Sequence, residues 1–465
     1  MKKIVLIFCL LCFANITRAQ SSKTIDLNQI IQLIDKYVIE ENIPSVVVGI
    51  VQNGQLIETI SRGEMKRDSG QKVNGQTLYQ IGSLSKSFTA IIINSLEEEG
   101  LLSVNDPLSK YLEGDIPSDA IVQYQSITLA SVLQHRAGLP NNGASIPPTP
   151  NGTAMKGGYG KEAMLKDLST LEVDTAKVGK FNYSNLGFAI MGYVAQKVSG
   201  ESYEELLQKY IAQPLGMSAT TTLQTQEVMV KAATPYMVGG DRTRETSAWE
   251  MGLGVAGGGV LSNIKDLSKL MIAEMQAFAK YKAHGAESPL VLTAHTQELN
   301  EYMDYGFGFF DSRNTFDSTV VQMGHGGDLD GFASQFEYYP NHDMGLIMLT
   351  ASGFGGWNEL KSMIERVMLG IPLPAEISVT KDIVKRYTGT YQFTSGSELK
   401  LYRKGKDLKV YIKGWGSQTL YAQNETRFNW RGRNAALEFE LDAKGKLSRA
   451  VYIENGKKHY PKKIK

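Results

Sequence analysis

Hydrophobic residues recur along the first hundred positions with periods that distinguish helices from strands. Between Asp26 and Tyr37, apolar side chains spaced three and four apart predict an amphipathic helix. Two apolar runs, 46–51 and 55–60, flank Asn53-Gly54, a pair that favours a tight β-hairpin turn. After a short apolar run, the spacing becomes helical again from Ser83 onward. The pattern therefore predicts that Ser83 opens a buried helix.

Helical patterns and β-branched runs alternate through the middle of the chain, which predicts helices interleaved with an antiparallel sheet. Further helices are expected at 127–133, 186–198, 203–211, 357–368 and from Ser262. Strands are expected at 319–321, 334–339 and 344–350. The last of these three is expected to complete the sheet edge.

Pro372 and Pro374 mark a linker, and a different pattern follows it. Four segments alternate apolar and polar residues between turn sequences, and they predict a small antiparallel β module: 399–402, 408–412, 437–441 and 447–453. The predicted organisation is a main domain at 20–372, a linker at 373–380 and a β domain at 381–465.

The N-terminus has the pattern of a secretory signal peptide. Met-Lys-Lys precedes an apolar run at 4–13, and small residues lead to a cleavage site after Ala19. This run is too short for a membrane span. Because Cys9 and Cys12 both lie in the segment predicted to be removed, residues 1–19, no thiol chemistry is expected afterwards. The mature protein is expected to be exported, with no stable membrane span.

Charge is distributed unevenly along a chain whose formal net charge is only +1. Residues 376–465 contain 20 Lys or Arg against nine Asp or Glu, a net of +11. Docking of this basic module onto an acidic main domain is the favoured interpretation, ahead of binding to an anionic envelope polymer. Nucleic acid is not an expected partner, because no stacking aromatics alternate with the basic residues.

Candidate chemistry begins at Ser83-Leu84-Ser85-Lys86. Residues three apart share a helix face, so the Lys86 amine can lie beside the Ser83 hydroxyl, and a helix N-terminus favours an oxyanion. Ser-x-x-Lys occurs five times in the chain, but only Ser83 combines a strand-to-helix junction with a strongly apolar helix. The alternative reading is a helix cap with a solvated lysine.

Two other patterns strengthen the serine. Tyr183-Ser184-Asn185 follows Ser83 by 100 residues, and His325-Gly326-Gly327 follows Tyr183 by 142. Together the three motifs resemble the signatures of the serine β-lactamase and penicillin-binding protein superfamily. They are most similar to its class C branch, with D-alanyl-D-alanine carboxypeptidases, esterases and D-aminopeptidases. The basic module resembles the small lipocalin-like domain appended to many of these hydrolases.

The resemblance implies an α/β (α+β) sandwich, with helices on both sides of an antiparallel sheet, an all-helical subdomain beside it and a small barrel-like β domain after it. It also implies a serine hydrolase without cofactor or metal, acting on a small-molecule or short-peptide substrate. Ser83 would be the acylated nucleophile, and Lys86 and Tyr183 would shuttle its proton. His325 would line the opposite wall and assist the relay.

The same resemblance implies a set of substrate-binding residues: Asn185, Gly326, Gly327 and Asp328. Asn185 would hold a substrate amide, and the backbone N–H groups of Ser83 and Asp328 would form the oxyanion hole. His135 is expected to be a structural loop residue, since no second histidine lies at a metal-binding spacing.

The sequence departs from a lactamase at two positions. His325 stands where lactamases carry lysine, and Asp328 stands where a small hydroxyl is usual. A carboxylate beside the carboxylate of a penicillin opposes binding, unless a cation such as Arg313 intervenes. The expected substrate is therefore an ester, amide or peptide that is neutral or cationic at this end. The alternatives are a D-Ala-D-Ala carboxypeptidase or β-lactamase proper, and a non-catalytic protein that binds penicillin or peptidoglycan fragments.

Overall fold

The computed structural model of the protein describes residues 24–146, 157–237, 243–292, 296–300, 303–353, 356–413 and 416–465. The predicted signal peptide, residues 1–19, lies outside the described residues. Within the described ranges, no helix is long and apolar enough to cross a membrane.

Ten strands precede residue 353 in the described chain: β1 (Ser45–Gln52), β2 (Gln55–Gly63), β3 (Tyr79–Gln80), β4 (Leu261–Ser262), β5 (Gln297–Asn300), β6 (Met303–Tyr305), β7 (Phe310–Arg313), β8 (Val321–Leu329), β9 (Phe332–Tyr339) and β10 (Met344–Thr350). Eight of them form one antiparallel sheet in the order β2-β1-β10-β9-β8-β7-β6-β5, and β3 pairs with β4.

The helices are α1 (Leu27–Glu40), α2 (Ser85–Glu98), α3 (Ser109–Leu112), α4 (Ser118–Ile121), α5 (Leu129–Leu133), α6 (Lys161–Thr170), α7 (Asn185–Ser199), α8 (Tyr203–Leu207), α9 (Gln226–Met229), α10 (Val255–Gly258), α11 (Ile264–His284), α12 (Trp357–Met368) and α13 (Lys381–Tyr387). A π-helical turn, Gln208–Ala212, extends α8.

The large sheet is covered on both faces, which explains why β1 is apolar at almost every position. Val46 and Val48 pack into the core with α1 and α12, whereas Val47 and Val51 pack into the core that contains α2 and α11. Gly49 lets α11 approach, since a Cβ there would lie 2.5 Å from the Ile264 side chain. Helices on both faces of an antiparallel sheet confirm the predicted fold class.

Two local predictions were wrong. The run 344–350 was expected at the sheet edge, but β10 lies between β1 and β9 and every residue in it is buried. Its unbroken apolar sequence, which has no polar alternation, reflects burial on both faces. Ser262 was expected to open a helix, but it lies in β4, and Asn263 caps α11 by accepting from the N–H of Asp266.

The C-terminal region folds as a nine-stranded sheet: β11 (Gly389–Gln392), β12 (Glu398–Lys404), β13 (Asp407–Ile412), β14 (Gly416–Ala422), β15 (Arg427–Asn429), β16 (Ala435–Leu441), β17 (Leu447–Glu454), β18 (Lys457–His459) and β19 (Lys462–Lys463). β19 returns to pair with β11, so the sheet curls into a half-barrel around its own core. Tyr387 of α13 stacks on Phe439 in that core, with ring centroids 3.9 Å apart.

Arg431 connects the half-barrel to the main domain. Its side chain is 3% exposed, and Nε and Nη2 donate to the carboxylate of Glu376. Nη1 lies 3.4 Å from Glu359 Oε1 on α12 and 3.4 Å from the Tyr37 hydroxyl on α1. The guanidinium also lies 3.3 Å from the centroid of the Tyr421 ring. One arginine therefore joins the linker, the half-barrel and two helices of the main domain.

Arg431→Ala is expected to lower the free energy of unfolding by about 3 kcal/mol, because it removes a buried guanidinium that bonds to Glu376 and leaves the partly buried carboxylate of Glu359 without its cation. Urea titration followed by tryptophan fluorescence measures the change. Arg449→Ala is the matched control, since its ion pair with Glu440 is exposed and is expected to contribute about 1 kcal/mol or less. Equal shifts in the two variants would contradict a structural role for the Arg431 contacts.

Candidate active site

Ser83 lies in a turn of 3-10 helix, Gly82–Leu84, between β3 and α2. Gly82 has a φ of +56°, and a Cβ atom there would lie 2.8 Å from the backbone nitrogen of Asp328. A larger residue at 82 would be strained and would displace β8. Glycine at this position therefore lets the serine lie directly against β8.

Lys86 is fully buried at the start of α2. Its Nζ lies 3.1 Å from Ser83 Oγ, 2.8 Å from Asn185 Oδ1 and 2.7 Å from the carbonyl oxygen of Gly257. Burial lowers the pKa of Lys86 from 10.5 to about 7. Both the neutral amine and the ammonium are therefore populated near neutral pH.

The Tyr183 hydroxyl lies near that of Ser83, and the Tyr183 ring centroid lies 4.9 Å from Lys86 Nζ. Burial raises the pKa of Tyr183 to about 12, although the neighbouring Ser83 hydroxyl opposes that shift. The neutral phenol is therefore favoured over the phenolate at ordinary pH.

Asn185 is the first residue of α7, whose N-terminus is capped by the hydroxyl of Ser184. Its Oδ1 accepts from Lys86, and its Nδ2 donates to the side-chain oxygens of Asn141 and Asn142, at 3.1 and 3.2 Å. The amide is therefore oriented with oxygen towards the lysine. No sequence motif had identified the two partner asparagines.

His135 has a closer relation to the site than its predicted structural role suggested. It is 1% exposed, its φ is +58°, and its Nδ1 accepts from the Ser184 N–H at 3.0 Å. Its ring centroid lies 4.2 Å from that of Tyr183 and 5.0 Å from that of Tyr305. Burial, with Lys86 and His325 nearby, holds the pKa of His135 well below its usual value. A neutral imidazole therefore packs against the Tyr183 ring and helps to hold that ring in place.

His325 lies in β8 but is buried, with 4% exposure. Its Nε2 is 3.4 Å from the Tyr305 hydroxyl, and its ring centroid is 5.1 Å from that of Phe310. Burial and Lys86 lower the pKa of His325 to about 3. These aromatic rings cover the imidazole, so it is not among the described residues that line the cavity, and its predicted relay role stays a prediction.

The glycines of the third motif permit close packing. A Cβ on Gly327 would lie 1.9 Å from the carbonyl oxygen of Ile81, so only glycine fits between β8 and the serine turn. A Cβ on Gly326 would lie 3.0 Å from the Gln335 side chain across the ladder. Because both glycines lack a side chain, β8 can pack closely against the serine turn and against β9.

Asp328 has a backbone N–H suited to an oxyanion hole. The hairpin between β8 and β9 closes at the pair Leu329–Phe332 with a two-residue loop, and Asp328 is opposite Ala333. Because ladder hydrogen bonds occur at alternate pairs, the Asp328 N–H points out of the β8–β9 ladder. The Asp328 nitrogen lies against the serine turn, since a Cβ on Gly82 would approach it to 2.8 Å.

Ser83 opens into a cavity of about 390 Å³. Its polar lining comprises Ser83, Asn142, Tyr159, Asn185, Asp328 and Asp330. Its apolar lining comprises Ile146, Leu186, Ala189, Trp249, Met251 and Leu329, with three glycines of the segment 254–258. The predicted serine, asparagine and aspartate therefore share one cavity, whereas Trp249, Tyr159 and Met251 carried no recognisable motif.

Neither a metal cluster nor Arg313 contributes to this cavity. Among the described residues, no group of three or more His, Cys, Asp or Glu side chains is arranged to hold a metal ion. Arg313 lies on β7, where its Nη1 is 3.4 Å from Asp311 Oδ1, and it lines a separate cavity beside α11. Arg313 therefore does not supply the cation that could offset the Asp328 carboxylate in this cavity.

Comparison with known proteins agrees with this arrangement. Residues 30–361 match the family model described as Beta-lactamase. The chain is 24% identical over 432 residues to penicillin-binding protein 4* of Bacillus subtilis, a match covering 86% of this chain and 91% of that protein.

Two solved structures are similar in fold. One is the octameric penicillin-binding protein homologue from Pyrococcus abyssi, with 22% identity and a TM-score of 0.66, covering 94% of this chain and 100% of that chain. The other is a class C β-lactamase from Rhodobacter sphaeroides, with 20% identity and a TM-score of 0.61, covering 74% of this chain and 99% of that chain.

Proposed function

Because this chain belongs to the β-lactamase family and is a serine hydrolase, we propose that Ser83 is its nucleophile. The reaction would pass through an acyl-enzyme on Ser83. The substrate would be an ester, amide or peptide. The enzyme would act outside the cytoplasm after removal of residues 1–19.

The environment of Lys86 supports this proposal. A neutral amine can donate its two N–H groups to Asn185 Oδ1 and the Gly257 carbonyl, which leaves its lone pair directed at Ser83 Oγ. Because burial brings the pKa of Lys86 to about 7, this neutral form needs no strong base to create it. Tyr183, whose hydroxyl lies near the same serine, would pass the proton onward.

The reaction divides into two balanced steps. Ser83 Oγ attacks the carbonyl carbon while its proton moves to the neutral amine of Lys86, and the oxyanion is held by the N–H groups of Ser83 and Asp328. The proton then passes to the leaving alcohol or amine, and the ester on Ser83 remains. Water attacks that ester in the second step, giving a carboxylic acid and the free serine.

The pH dependence of hydrolysis tests this assignment. For p-nitrophenyl acetate, kcat/KM is expected to rise with pH through about 7, because Lys86 loses its proton there, and to level off above it. The pKa of Tyr183, about 12, predicts no second change below strongly alkaline pH. Rates are measured from pH 5.5 to 9.5 and corrected for the background of Ser83→Ala. A flat or falling profile would contradict the role given to Lys86.

Penicillins are expected to be poor substrates because Asp328 opposes their carboxylate. Replacing Asp328 with serine is expected to accelerate acylation by benzylpenicillin about tenfold, the effect of removing one close like charge in a partly exposed site. Intact mass spectrometry follows the adduct with time. Asp119→Ser, on the exposed α4, is the control. If acylation is no faster in Asp328→Ser, the carboxylate does not exclude penicillins.

A further inference from the structure

Two carboxylates lie in the same cavity as Ser83. Asp328 is the penultimate residue of β8, and Asp330 lies in the turn that follows. The position of this turn is fixed, because the indole Nε1 of Trp249 donates to the Asp330 carbonyl at 3.1 Å. Trp249 itself is held by two hydrogen bonds between its backbone and the Gln80 side chain, both 2.8 Å.

No cation balances these carboxylates in the described structure. None of the cavity's described lining residues is a lysine, arginine or histidine. Lys86 lies beneath Ser83, and its amine already forms hydrogen bonds with Ser83, Asn185 and the Gly257 carbonyl. Burial, and then the neighbouring charge of Asp330, raise the pKa of Asp328, as expected for a carboxylate without an ionic partner.

The same cavity has an apolar part. Trp249, Met251, Ile146, Leu186 and Ala189 belong to the lining that contains the two carboxylates. A group that fits this cavity therefore requires an apolar body and a positive charge within reach of the β8–β9 turn.

We infer that the substrate carries an ammonium or guanidinium group, which Asp328 and Asp330 recognise, on an apolar body that packs against Trp249 and Met251. This inference rests on the proposed function, since it concerns the substrate acylating Ser83. Such a substrate is positively charged near Asp328, whereas a penicillin carries a carboxylate there. The carboxylates would bind the substrate and orient its carbonyl towards Ser83, without taking part in bond cleavage.

A matched series of esters tests this inference. The first set consists of p-nitrophenyl esters of 6-aminohexanoic acid, hexanoic acid and adipic acid, which carry an ammonium, no charge and a carboxylate on chains of equal length. The second set places the charge on the leaving group and compares choline hexanoate with its neutral isostere, 3,3-dimethylbutyl hexanoate. In at least one set, kcat/KM for the cationic ester is expected to exceed that for the neutral ester about tenfold.

Two variants and a salt titration complete the test. The double variant Asp328→Asn/Asp330→Asn is expected to hydrolyse charged and neutral esters at similar rates, whereas Asp119→Asn should retain the cation preference. The preference of the parent enzyme should also decline between 20 and 500 mM NaCl, a measurement that does not depend on the variant folding.

The inference is overturned if neither set favours the cation, or if the preference survives the double variant. Hydrolysis of neutral hexanoate esters by the parent and not by Ser83→Ala would then still support the proposed function. Failure to hydrolyse any ester, together with no covalent labelling of Ser83, would overturn both.

Discussion

Replacing Lys86 with methionine is expected to lower kcat/KM for a neutral ester by about 10³- to 10⁴-fold, the upper range for loss of a positioned proton acceptor. Methionine is similar in length and unbranched, so it fills the buried channel without the amine. The loss is expected mainly in kcat, because Lys86 lies beneath Ser83 and does not line the cavity. Initial rates with p-nitrophenyl acetate measure it.

Lys404→Met is the matched control, because Lys404 is exposed at the end of β12. It should hydrolyse the ester at the parental rate. Thermal unfolding of both variants separates loss of chemistry from loss of folding. A folded Lys86→Met enzyme with more than about a tenth of parental activity would show that another group takes the proton from Ser83.

Tyr183→Phe is expected to lower kcat by about 10²- to 10³-fold, because it removes the hydroxyl near Ser83 and keeps the ring that packs on His135. KM should change little, since no charge or apolar contact is lost. Stopped-flow measurement of p-nitrophenol release resolves acylation from the later hydrolysis. The acylation step is expected to carry the loss.

Tyr124→Phe offers a matched control. Tyr124 is fully buried and its hydroxyl donates to the Leu168 carbonyl at 2.8 Å, in the helical part of the protein. Loss of this buried hydrogen bond is expected to lower the free energy of unfolding by about 1 kcal/mol and to leave kcat unchanged. If Tyr183→Phe behaves in the same way, the tyrosine has no part in proton transfer.

The sequence predicted contacts within the candidate site where the residues concerned are three or fewer positions apart. Ser83 and Lys86 share a helix face, and their 3.1 Å separation follows from that spacing. Tyr183 and Asn185 lie about one hundred residues away, and only the family resemblance linked them to Ser83. Local periodicity carries no information about which loops meet in space.

His135 shows why other contacts were missed. The sequence predicted a structural loop residue there and not a metal ligand, but His135 contributes a flat, neutral ring between Tyr183 and Tyr305. Nothing in the neighbouring sequence specifies those partners. Trp249 was missed for the same reason, because its link to Asp330 joins segments 81 residues apart.

Strand predictions failed where strands are short or polar. In the half-barrel, the four predicted segments correspond to β12, β13, β16 and β17, whereas β15 and β18 have three residues each and carry charged side chains. Short strands contain too few alternations to establish a period. Their pairing is set by the curled sheet, which tertiary contacts determine.

Covalent modification of Ser83 is measured by intact mass spectrometry after exposure of the purified protein to a neutral alkyl fluorophosphonate. One phosphonate adduct is expected in the parent and none in Ser83→Ala. Tryptic mapping should place it on the peptide containing Ser83. No adduct in a folded parent protein, or an adduct that persists in Ser83→Ala, would show that Ser83 is not the nucleophile.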